Sequence, residues 1–144
     1  GRLLMPPAQV VRNFLEIVRS GENPEFSNEL MADSVMAHQV VSEEEQTIRR
    51  TPQEYAEHVK EMIETYGNFS FEIQEFISQG NKVYVRWKQE GKHQGNIGKY
   101  QTTGLPLVEL ASAVYRVEDE KIAEYWIQID RLGINKQLER NASN

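Results

Sequence analysis

The heptapeptide EYWIQID, residues 124–130, reads as a strand that ends on a carboxylate. Side chains alternate between the two faces of a strand, so Trp126, Gln128 and Asp130 fall on one face and Tyr125, Ile127 and Ile129 on the other. A carboxyl beside an indole suits proton transfer, because burial disfavours the charged form and brings the pKa toward the working pH. The same residue suits a plainer task. Aspartate is favoured where a strand ends and a turn or helix begins, and Arg131 is placed to pair with it. On the residues alone the cap or turn role is the favoured one.

Other chemistry is sparse. Cysteine is absent, so no thiolate nucleophile, disulfide or cysteine metal site is available. His38, His58 and His93 are scattered, without a His-Glu-x-x-His or paired-carboxylate spacing, and the acidic run at 42–45 reads as a solvated loop; no metal is expected. GNIG and TTGL lack the strand, glycine loop and helix order that phosphate or dinucleotide binding requires, so no cofactor is expected either. His58 lies on a helical segment and reads as solvated. His93, between glycines in GKHQG, reads first as a packing or backbone-bonding residue. Trp87, Trp126, Tyr55 and Met62 could wall a hydrophobic pocket or fill an ordinary core, since both give the same pattern.

Charge and length narrow the class. The chain has 22 acidic and 16 basic residues, a formal charge of -6, which repels phosphate backbones and anionic membrane surfaces. Neither nucleic acid nor membrane is an expected partner. No apolar run is long enough to span a bilayer and the start GRLLMPPAQ is too short in its apolar part for a signal peptide, so a cytoplasmic protein is expected. At 144 residues, one domain with one core is expected over 1–144.

The elements that would position these residues follow from periodicity. Val10, Val11, Phe14, Leu15 and Val18 recur at helical spacing and predict a helix near 7–20, stopped by SGENP; PEFSNELM predicts a short second one. SEEEQTIRR reads as a polar loop. Thr51-Pro52-Gln53-Glu54 then supplies an N-cap, a first-turn proline and a capping-box glutamate for a helix at 51–66. Beyond Gly67 the period falls to two. Strands are predicted around 69–77, at KVYVRWKQEG, and at PLVELASAVYRV and KIAEYWIQID as a hairpin, while NKQLERNASN reads as a frayed turn followed by disorder. Helices before an antiparallel meander predict an α+β domain, its helices packed on a strongly curved sheet around a cone-shaped pocket.

The segments RWKQEGKHQGNIG, TTGLPL, VYRVEDEKIAEYWIQID and KQL, with MADSVMAHQV before them, resemble in order and spacing those of the SnoaL-like polyketide cyclases of the nuclear transport factor 2-like superfamily. Glu120 stands where that family has a hairpin glycine, and Thr102 replaces a proline. The resemblance implies a cone-shaped α+β barrel and cofactor-free, intramolecular aldol-type chemistry on a hydrophobic carbonyl compound. Within it Asp130 would be the acid/base and His38 its helper; Trp126, Gln128, His93, Trp87, Tyr55 and Met62 would contact substrate. The alternative is a noncatalytic binding or oligomerisation module of the same fold. A homodimer through the convex sheet face is also implied, with Tyr125, Ile127 and Ile129 offered for the contact.

Overall fold

The structure, a computed structural model, describes residues 4–143. Helix α1 (Pro7–Asn13) continues into a π-helical segment, Phe14–Arg19, and a 3-10 turn at Pro24–Phe26 leads into α2 (Ser27–Leu30). Then come β1 (Met31–Gln39), β2 (Gln46–Arg50), α3 (Pro52–Tyr66), β3 (Ser70–Gln79), β4 (Lys82–Lys92), β5 (Pro106–Glu118), β6 (Lys121–Ile129) and α4 (Arg131–Ala142). The strands form one sheet in the order β2-β1-β6-β5-β4-β3. Neighbours are antiparallel except β1 and β6, which run parallel, so the sheet is mixed rather than purely antiparallel. Helix α3 packs on both β1 and β4, although β6 and β5 lie between them. A flat sheet would hold two such strands roughly 14 Å apart; only a sheet curled around the helix lets one helix touch both. The curl is not closed, because the edge strands β2 and β3 do not pair.

Two expectations about these segments need correction. The chain between the second and third helices carries β1 and β2, and QTIRR within the expected polar loop is the edge strand β2. Its hydrophobic pattern is weak because most of the strand is exposed. The segment after Asp130 is an ordered 12-residue helix rather than a frayed turn, held to β5 by Gln137 and Asn141. In β3 the pairing register shifts between Ile73 and Glu75, so Phe76 packs on the core while Ile77 is exposed. A bulge that adds one residue swaps the faces of everything beyond it.

The strongest local signals hold. Thr51 and Glu54 form the reciprocal capping box of α3. The β5–β6 hairpin turns on Asp119 and Glu120, both in the left-handed region (φ 51° and 63°), the conformation of a primed two-residue turn. Val10, Val11, Phe14, Leu15 and Val18 are fully buried against Val83, Val85 and Trp87 of β4 and Ala113, Tyr115 and Val117 of β5. A smaller cluster of Tyr66, Leu107 and Leu138 closes the far end of α3.

Gly91 lets β4 pass the end of α3. A Cβ there would meet the Tyr66 carbonyl oxygen and lie 2.9 Å from the Tyr66 Cβ. Gly91→Ala is expected to destabilise the fold by about 1–3 kcal/mol, the usual range for overpacking, read from the urea unfolding midpoint at unchanged slope.

Candidate functional site

Between α3 and the inner face of β1, β2, β5 and β6 lies a cavity of about 490 Å³. This falls in the range of small-molecule pockets. Tyr55 and Met62 of α3 face Tyr115 of β5 and Tyr125, Ile127 and Ile129 of β6 across it. The rings of Tyr115 and Tyr125 are 5.8 Å apart and those of Tyr55 and Tyr125 6.2 Å. Burial raises the pKa of all three phenols above the ordinary tyrosine value. They are therefore protonated at neutral pH and able to donate, and their hydroxyls bond no protein group among the described residues.

At the deep end, Arg19 and Glu109 are 2% and 6% exposed and form an ion pair with Nη2 3.3 Å from Oε1. Arg19 Nη1 donates to Gln89 Oε1 at 2.7 Å, and Trp87 Nε1 donates to the same Glu109 oxygen at 3.4 Å. The guanidinium also lies 5.2 Å from the rings of Phe71 and Trp87. The pair is thus held by the π-helical segment, β4 and β5 together. Arg19 follows Leu15 by one helical turn and Glu109 and Gln89 occupy the inward phase of their strands, so all three charged or polar groups stand where the fold demands burial.

The mouth is different. His58 borders the cavity, 6.0 Å from the Tyr55 ring, and is reached by solvent from outside. Its pKa is lowered to about 4, chiefly because protein replaces water around it and further by the cations of Arg50 and Arg19. The imidazole is therefore neutral at pH 7. Arg50 and Arg131 also line this end, and Arg131 Nη2 donates to Gln39 Oε1 at 2.7 Å. Among the described residues no group of three or more His, Asp or Glu side chains is placed to hold a metal ion.

The two faces of β6 are the reverse of what the indole suggested. Tyr125, Ile127 and Ile129 wall the cavity, and Trp126 and Gln128 lie on the outer face. The row offered for a dimer contact is therefore inside the molecule. Trp126 stacks on His38 at 5.1 Å, with Lys82 5.3 Å from its ring. His38 hydrogen-bonds Thr47 at 2.8 Å and Glu124 at 2.6 Å, and the Glu124 carboxyl is held below its usual pKa by His38 first and Arg116 next. Asp130 is exposed and caps α4, its Oδ1 accepting from the Gly133 amide at 2.9 Å. His93 and Trp87 are fully buried away from the cavity lining, and neither ring nitrogen of His93 has a hydrogen-bond partner among the described residues. Of the residues expected to contact a ligand, Tyr55 and Met62 border the cavity. His58, read as merely solvated, borders it too.

Arg19→Met should leave Glu109 buried without its cation and destabilise the protein by about 3–5 kcal/mol, with partial recovery in Arg19→Met/Glu109→Leu; urea unfolding of the three proteins checks this. The His58 titration has a clear sign. Between about pH 6.5 and 4 the unfolded chain binds a proton that the folded one does not, so stability falls as pH falls through that window. Replacement by Gln should flatten that part of the profile, and NMR of the ring protons should give a midpoint well below the free-histidine value.

Comparison with known proteins agrees with this architecture. A protein from Acidithiobacillus ferrooxidans provisionally described as a polyketide cyclase is 22% identical, with a TM-score of 0.81, covering 97% of this chain and 99% of that one. IdmH from Streptomyces antibioticus, described in the same terms, is 21% identical at a TM-score of 0.77, covering 94% and 99%. An epoxide hydrolase of the LEH-like type from M. tuberculosis is 17% identical at 0.65, covering 95% and 92%. At such identities these likenesses establish the fold alone. No curated protein matches the sequence. The family model of the SnoaL-like polyketide cyclases matches residues 8–138, nearly the whole chain, and the protein belongs to that family.

Proposed function

We propose that the cavity beneath α3 is the functional site, and that it takes a hydrophobic carbonyl compound for cofactor-free acid/base chemistry of the intramolecular aldol type. The observation that carries this is the wall itself. A cavity of about 490 Å³, walled by tyrosines and by Ile127 and Ile129 and polar toward its ends, is edged by a neutral imidazole and by protonated phenols that bond nothing else. An aldol closure needs a base to remove a proton next to a carbonyl, and a donor to stabilise and then protonate the oxygen that becomes an alkoxide. His58 is the base best placed for the first step. Tyr55, beside it, is a donor for the second, and its raised pKa keeps the proton available as a hydrogen bond throughout.

Family resemblance gives the acid/base role to Asp130 instead. Asp130 follows Ile129 and precedes Arg131, both on the cavity lining, but its carboxylate is committed to the α4 cap. Asparagine caps as well as aspartate and cannot exchange the proton, so Asp130→Asn separates the two roles. A synthetic aromatic 1,5-diketone supplied to the protein should close to its ketol, followed by chromatography. His58→Gln is expected to lower the rate by about 10²–10⁴-fold, while Asp130→Asn and His38→Ala leave it near wild type. Loss of turnover in Asp130→Asn with His58→Gln active would transfer the role to Asp130.

The cap also favours a second reading, a noncatalytic binding module, since it occupies the one carboxyl that resemblance selects. Saturable binding with no turnover of any diketone in a panel would support that reading over the first. In either case Ile127→Trp, which fills the cavity from β6, should abolish binding while the unfolding midpoint stays near wild type.

A further inference from the structure

Within a chain of formal charge -6, the mouth of this cavity carries an excess of positive charge. Arg19 and Glu109 neutralise each other at the deep end. Arg50 is half-buried at the end of β2, on the same inward phase as Ile48 and Gln46, all three on the lining. It forms no ion pair among the described residues. Glu54, four positions on, is bound to the Thr51 amide and hydroxyl in the capping box of α3 and meets Arg50 only through space. Arg131, across the mouth, bonds neutral Gln39 and no carboxylate. Against these two guanidinium groups the remaining carboxylate on the lining is that of Glu61, exposed on α3.

The positive field reaches the cavity. Arg50 contributes to lowering the pKa of His58 and opposes the rise in Tyr125 and Tyr55. An inward-phase position on an edge strand could hold any residue that packs, and an uncompensated cation there weakens the fold slightly. Arginine offers in return a planar fork that matches a planar two-oxygen anion with paired hydrogen bonds.

We propose that the cavity selects an anionic ligand: a planar hydrophobic compound bearing a carboxylate, or an equivalent two-oxygen anion such as a 1,3-dicarbonyl enolate. Its oxygens meet Arg50 at the mouth, and Arg131 on the opposite side adds to the field. The apolar body of the ligand then lies along Tyr125 and Tyr115, and the carbonyl to be activated falls between Tyr55 and His58. This specifies the substrate class of the site proposed above and rests on that reading.

Calorimetric titration with anthraquinone-2-carboxylate and with its neutral methyl ester tests it. The carboxylate is expected to bind about 10–100-fold more tightly at low salt, the value of one to two charge-assisted hydrogen bonds. Raising the ionic strength should shrink that preference and leave the ester unaffected. Arg50→Gln should abolish most of the preference without changing ester affinity, Arg50→Lys should retain part of it, and Arg131→Gln should cost less than Arg50→Gln. Thermal unfolding confirms that each variant is folded. Equal affinity for acid and ester, or a preference unchanged in folded Arg50→Gln, overturns the proposal and leaves the pocket reading intact. Failure of both ligands to bind, with Ile127→Trp indistinguishable from wild type, defeats the pocket reading and this proposal with it.

Discussion

The ion pair between Arg19 and Glu109 is the constraint around which the interior is arranged. It joins the last turn of the first helix to the central strands, and it does so in a place where neither charge has water to fall back on. Two unpaired ions there would cost several kcal/mol each, so the surroundings have to supply what solvent would. Gln89 and Trp87 provide polar contacts and the faces of Phe71 and Trp87 provide quadrupoles. The π-helical segment Phe14–Arg19 ends at this residue, with the Ser20 amide reaching back five residues to the Leu15 carbonyl. A widened turn of this kind is a common device where a helix must present a particular side chain.

The pair also explains why the cavity stops where it does. Beyond it the inner face is filled by Val83, Val85 and the α1 stripe, all fully buried. On the near side the walls are tyrosines whose rings pack on one another and on Phe14. Phenol rings fill space as an apolar wall does while leaving a donor at the rim, so the same residues that complete the core also make the cavity chemically addressable. Core and site are continuous here, which is why composition could not distinguish a filled interior from a lined one.

The sequence made the helices and the central strands legible because each rests on a local pattern: the apolar stripe of 10–18, the capping box at Thr51 and the alternation along β4 and β5. In β6 an irregularity hides the phase of the first residues from any simple alternation. Pairing with β5 shifts between Arg116 and Val117, so Ile122 and Tyr125 both turn inward although three positions separate them. Strict alternation from Ile122 would have put Trp126 inside. The more informative comparison was between rows: Tyr125, Ile127 and Ile129 form the more apolar set, and burial follows the set rather than its largest member. Glu109 and Gln89 were legible in principle, as polar residues at inward positions of strands whose other inward residues are apolar. Arg19, one turn after Leu15 on the buried stripe, gave the same signal.

Asp130 shows how a short motif can carry two physical meanings. A strand that ends on aspartate and is followed by a helix places the carboxylate where the first amides of the helix need an acceptor, and the Gly133 amide takes it. A Cβ at Gly133 would lie 3.1 Å from Asp130 Oδ1 and closer still to Oδ2, so the cap depends on a small residue three positions on. The cap fixes where α4 begins, and α4 in turn fixes β5 through the paired bonds of Gln137 to Val108. Val108 adjoins Glu109, so the residue at the end of β6 bears indirectly on the buried carboxylate at the floor of the cavity. Removing the carboxyl-bearing side chain altogether would disturb that chain of supports whether or not Asp130 touches a ligand, whereas exchange for asparagine preserves it. Activity lost on truncation to alanine is therefore no evidence for proton transfer at this position, and the amide variant is the one whose result bears on chemistry.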